Sequence, residues 1–167
     1  MGEHKKSDTK VLIIASMLTA LVFVVTFLLP VPVGNKGAYI NLGDSVIYCT
    51  GLLVGAPWAA AASGIGSALS DWAYGATVYI PATLIIKGTM GFVCAALIRA
   101  GGYKRFLISS IIGGAIMVAG YGLFELIFMG GWGYAATTVI GNLIQWAAGV
   151  IGATVLYYPV KRIKGLI

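Results

Sequence analysis

The sequence predicts an all-α integral membrane protein, a six-helix bundle with little of the chain outside the bilayer. Three observations predict it. Apolar residues fill 59% of the 167 positions and charged residues only 10%, against roughly 25% charged in an ordinary soluble domain, and the mean hydropathy is +0.95. Apolar runs with few charges, each near the length of about 20 residues that a span requires, recur between Gly- and Pro-rich breaks. Lys and Arg gather at alternate breaks, as cytoplasmic loops do. The whole chain is therefore expected to be one transmembrane domain, with no room for a soluble catalytic domain.

The first helix is expected over 11–29, an uncharged run preceded by Lys5, Lys6 and Lys10 and stopped by Pro30 and Pro32. Met1 to Lys10 is too polar for a cleavable signal, so this run is expected to stay as an anchor. A loop follows, then a second helix over about 42–56 that ends at Gly55-Ala56-Pro57. The third, about 58–74, is dense in small residues (Ala60, Gly64, Ala68) and stops at Gly75; small residues let helix backbones approach closely. The loop Thr77 to Pro81 leads into a fourth helix over about 81–100. Gly101-Gly102-Tyr103-Lys104-Arg105 is the clearest break, since two glycines and two charges sit poorly in lipid. The fifth and sixth helices, about 106–129 and 134–158, are divided by Gly130-Gly131-Trp132-Gly133.

Six crossings put Lys5, Lys6 and Lys10, then Arg99, Lys104 and Arg105, then Lys161, Arg162 and Lys164 on one side, and leave Lys36 alone on the other. Both termini are accordingly expected in the cytoplasm. The net charge of +6 then reads as a topology signal and not as nucleic-acid binding.

Four ionisable residues fall within or at the ends of the spans: Asp44, Asp71, Lys87 and Glu125. Charges in lipid are costly and mark function by default. All four are expected in the outer half of the bundle, which suits a pocket open to the exterior. Two structural alternatives stand beside this. Asp44 suits a cap on the second helix, and Asp71 and Lys87 suit an ion pair between the third and fourth. Tyr79 and Trp132 are aromatic candidates for the pocket wall, although belts of Trp and Tyr also mark membrane interfaces. On the sixth helix Asn142 and Gln145, with Trp146, are polar enough to bridge helices or meet a ligand.

The chemistry of many enzymes is missing. There is no G-x-x-x-x-G-K-[ST] phosphate loop, no Cys/His metal cluster and no G-x-S-x-G elbow, and the one histidine is His4 in the polar N-terminal stretch. No catalytic residue, metal or cofactor is expected. Cys49 and Cys94 read as buried free thiols.

Tyr39-Ile-Asn-Leu-Gly-Asp44, Gly55-Ala-Pro57, Gly64-Ile-Gly-Ser-Ala-Leu-Ser-Asp71 and Pro81-Ala-Thr-Leu-Ile-Ile-Lys87-Gly88 together resemble the substrate-binding S components of energy-coupling-factor (ECF) vitamin transporters. The resemblance covers about residues 39–92, and the length and helix number fit the family over the whole chain. It implies high-affinity capture of a vitamin or precursor at the outer face, followed by uptake with a module of one transmembrane coupling protein and two separate ATPases. It also implies an A-x-x-x-A docking patch on the first helix, here Ala15 with Thr19 or Ser16 with Ala20. Its closest branch takes pyridoxine-type (vitamin B6) or hydroxymethylpyrimidine substrates, with riboflavin or another vitamin as the alternative. A membrane enzyme and a structural subunit are the competing classes. The substrate contacts expected are Asp71, Tyr79, Lys87, Glu125, Trp132 and Asn142.

Overall fold

Many large apolar side chains face outward, and many charged and polar ones within the helices are buried beside an apolar core. Ile13, Met17, Ile85, Phe128, Ile151 and Val155 are exposed, whereas Asp44, Ser63, Ser70, Lys87, Glu125 and Gln145 are buried. A lipid solvent favours that distribution, because it leaves no penalty on exposed hydrocarbon and a large one on exposed charge.

The computed structural model describes residues 2–28, 30–32, 39–98 and 101–166, with side chains described over 9–28, 30, 41–98 and 101–163. Lys36 and Arg99, which carry part of the charge pattern, lie outside the described residues. The helices are α1 (Gly2–Leu28), α2 (Gly43–Leu53), α3 (Ala56–Tyr74), α4 (Ile80–Ile98), α5 (Tyr103–Phe128) and α6 (Trp132–Leu166). A two-residue antiparallel ladder, β1 (Val31–Pro32) with β2 (Tyr39–Ile40), pairs Val31 with Ile40 ahead of α2.

α3 packs between α1 and α4, α5 lies against α4, and α6 lies against α5. α2 occupies the middle, touching α1, α4 and α6, and nine of its eleven residues are buried. It is shorter than the expected 42–56. Val54 and Gly55 are extended and Pro57 opens the next helix, so the apolar run breaks into two helices. Eleven residues rise about 16 Å, roughly half the hydrocarbon core. Among the described residues four stretches are long and apolar enough to cross a membrane, 9–28, 77–98, 103–128 and 132–163. α6 continues through Pro159 to Leu166, past the expected end at 158.

Chain punctuation acts through backbone geometry. Gly75 ends α3 at φ +85°, a left-handed conformation that glycine adopts without steric cost, and the Ala76 N–H then bonds the Asp71 carbonyl at 2.8 Å. Close approach matters at Gly91 of α4, where an added Cβ would lie 2.5 Å from both the Ala59 carbonyl oxygen and Ser63 Oγ of α3. Gly91→Leu is expected to destabilise the bundle by about 1 to 3 kcal/mol through overpacking. A thermal midpoint equal to that of the wild type would show that α3 and α4 are less tightly packed than described.

Candidate ligand-binding site

The polar interior forms two connected levels. The deeper one is centred on Asp44, in the first turn of α2, whose carboxylate is fully buried. Its Oδ1 accepts from Lys87 Nζ of α4 in a buried ion pair, and its Oδ2 accepts from Gln145 Nε2 of α6 at 2.8 Å. Met117 of α5 completes this level, its sulfur 3.1 Å from Lys87 Nζ and 3.3 Å from Gln145 Nε2. Gln145 is held in turn by the Asn41 backbone N–H, which donates to its Oε1 at 2.9 Å. Asn41 Oδ1 takes the Gly43 N–H at 2.8 Å, so an asparagine satisfies the start of α2 and the Asp44 carboxylate turns inward. The N-cap position falls on Leu42, which makes no side-chain cap bond, and Asp44 stands two residues further on with its carboxylate given to Lys87 and Gln145, so it is not the cap of α2.

The shallower level is centred on Glu125, buried near the end of α5. Tyr79 donates to its Oε1 at 3.2 Å and Thr138 Oγ1 donates to its Oε2. The Tyr79 and Tyr134 hydroxyls are 3.1 Å apart. Between the levels lies Tyr121, its hydroxyl 2.8 Å from Thr83 Oγ1, its ring centroid 5.6 Å from Lys87 Nζ and 6.2 Å from that of Tyr79. Phe124 adds a second aromatic neighbour to Tyr79 at 5.6 Å.

The structure therefore brings Tyr79, Lys87 and Glu125 into one polar, aromatic-walled interior. The ion pair it gives Lys87 is with Asp44 and not Asp71, because α2 is inserted beside α4 and its first turn meets Lys87. Asp71 is buried on α3, four residues before its C-terminal glycine. Asn142 is half-buried, beside the inward line of α6 on which Thr138 and Gln145 stand. Trp132 is 79% exposed at the start of α6, a position suited to the interface belt and away from the clusters. Sequence alone does not single out Thr83, Met117 or Thr138 as parts of the network, whereas Tyr121 and Tyr134 belong to the aromatic set that the sequence places in the outer region. Buried hydroxyls and a methionine give no charge signal to mark them.

The Asp44–Lys87 pair neutralises its own charge, whereas Glu125 is met by hydroxyl donors. A carboxylate so placed retains acceptor capacity for amino or ammonium groups, and the rings beside it offer flat surfaces. Among the described residues no group of three His, Cys, Asp or Glu stands close enough to hold a metal. Cys49 and Cys94 are free and buried.

On α1, Ala15 is buried and Thr19 half-buried, while Ser16 and Ala20 are exposed. Ser16 Oγ and Thr19 Oγ1 bond back to the Leu12 and Ala15 carbonyls, each at 2.9 Å.

The sequence profile of the family described as "ECF-type riboflavin transporter, S component" matches residues 6–162. The chain is 34% identical over 161 residues to the thiamine precursor transporter HmpT of Lactococcus lactis subsp. cremoris, a match covering 93% of this chain and 90% of that protein. It is also 32% identical over 142 residues to an uncharacterized protein of Pyrococcus woesei, covering 84% of this chain and 95% of the other.

Proposed function

We propose that this chain, which belongs to the family of ECF-type riboflavin transporter S components, captures an amino-bearing heteroaromatic vitamin or vitamin precursor between α2, α4, α5 and α6 and delivers it to a separate energising module. It is a multi-pass membrane protein of a transporter family. The observation that carries the substrate reading is Glu125, buried and held by hydroxyl donors from Tyr79 and Thr138. An aminopyrimidine offers the paired donors such a carboxylate accepts, and its ring suits the faces of Tyr79, Tyr121 and Phe124. Likeness to HmpT favours a hydroxymethylpyrimidine; a B6-type pyridine is the nearest variant in chemistry. The family description favours riboflavin as a second reading.

Calorimetric titration of the purified protein with hydroxymethylpyrimidine, pyridoxine and riboflavin separates these. The reading expects the pyrimidine to bind at least tenfold more tightly than the others. Tightest binding of riboflavin would overturn the pyrimidine assignment while leaving the family intact.

Asp71 and Asn142 are kept as candidate contacts, and Trp132 would reach a ligand only through movement of the α5–α6 turn. The coupling protein docks on the exposed Ser16–Ala20 face of α1, and ATP is hydrolysed on separate ATPase subunits. Both termini face the cytoplasm, so a cysteine at Gly102 should label only from the cytoplasmic side; labelling from outside would reverse the topology. Ser16→Trp and Ala20→Trp should abolish transport with vitamin binding intact, whereas Ala15→Trp should destabilise the fold, because Ala15 is packed inside. Normal uptake by both exposed-face variants would move the docking surface elsewhere.

A further inference from the structure

We propose that the end of the bundle where α5 begins and α6 finishes is a binding site for the phosphodiester headgroup of an anionic phospholipid. α6 has 35 residues and rises about 52 Å, well beyond the roughly 30 Å of a hydrocarbon core. With Trp132 at one interface, its second half emerges near Tyr157 and Tyr158, at the level where tyrosines favour the membrane surface. There the rings of two helices form a single platform. Tyr103 of α5 stacks on Tyr158 with centroids 6.3 Å apart and planes at 12°, and meets Tyr157 edge-on at 5.2 Å. Phe106 lies 4.8 Å from Tyr157 beneath them.

Four cations stand at the same two helix ends. Lys104 and Arg105 follow Tyr103 directly, and Lys161 and Arg162 stand one turn beyond Tyr157 and Tyr158; all four are exposed. Lys161 Nζ sits 5.8 Å from the centroid of the Tyr157 ring, which fixes one ammonium over an aromatic face. α6 carries no carboxylate, and the one carboxylate of α5, Glu125, is buried at the opposite end of that helix. The two helix ends thus present positive charge at headgroup depth on a rigid aromatic base, with no opposite charge on their own helices. A phosphodiester supplies the missing charge, and its acyl chains can lie along the exposed Ile151 and Val155 of α6. A scattered set of topology-setting lysines would need no such shared platform.

The test uses the full chain in neutral detergent and native mass spectrometry with equal amounts of phosphatidylglycerol and phosphatidylcholine. The expected result is selective retention of phosphatidylglycerol. Neutralising a cation near a membrane surface costs about fivefold in binding, so Lys161→Gln with Arg162→Gln should lower that retention at least tenfold, and Lys104→Gln with Arg105→Gln likewise. The two double variants are read independently, so a folding failure in one leaves the other decisive. Inorganic phosphate at the same concentration should displace no lipid. Equal retention of both lipids by the wild type, retention unchanged in a folded double variant, or displacement by inorganic phosphate alone would each overturn the proposal.

Discussion

Lys87→Met is expected to destabilise the protein by about 3 to 5 kcal/mol, the loss typical when one partner of a buried ion pair is removed. Its cause is the group left behind. Asp44 is fully buried and its carboxylate is shared between Lys87 and Gln145, so without the ammonium an uncompensated charge remains, supported by one amide. The double variant Asp44→Leu with Lys87→Met should recover most of that loss, because two apolar side chains of similar volume leave no buried charge. Thermal midpoints in detergent read both results. A single variant as stable as the wild type would mean that the pair is solvated or not formed. A double variant as unstable as the single would place the cost in packing and not in charge.

Glu125→Gln is expected to weaken vitamin binding by about 1.5 to 3 kcal/mol, or roughly ten to a few hundredfold, the cost of losing a charge-assisted contact. Folding should change little. The introduced amide retains one carbonyl acceptor for Tyr79 or Thr138, and removing a carboxylate that these hydroxyls alone support lowers the desolvation cost at that position. This divergence separates binding from structure, since a carboxylate serving only to hold α4 and α6 together would lose stability first. Titration calorimetry on the folded variant decides it, and unchanged affinity would remove Glu125 from the site.

What the sequence discloses follows from which signals are strong in lipid. Asp71, Lys87 and Glu125 interrupt apolar runs, so their burial was legible from cost alone, and the Gly-rich breaks set the number of helices. Pairing was not legible. Asp44 meets Lys87 because a helix of eleven residues is inserted between α4 and α6, and an apolar run does not disclose whether it spans or stops halfway. The face of α1 is hidden for a similar reason: its residues from Val11 to Leu28 are apolar nearly all round, so nothing in their spacing separates Ala15, which is buried, from Ser16 and Ala20, which are exposed. Trp132 suits a pocket wall and an interface belt equally well from sequence, because aromatic residues serve both and position along the chain does not choose between them.

Capture of a vitamin in the interior around Glu125 is tested most directly by purifying the wild type and Glu125→Gln from rich medium, denaturing both and identifying released small molecules by mass spectrometry. The account predicts one amino-bearing heteroaromatic vitamin or precursor, present at close to one molecule per chain in the wild type and depleted at least tenfold in the variant. Release of no such compound from the wild type, or equal amounts from both, would contradict it.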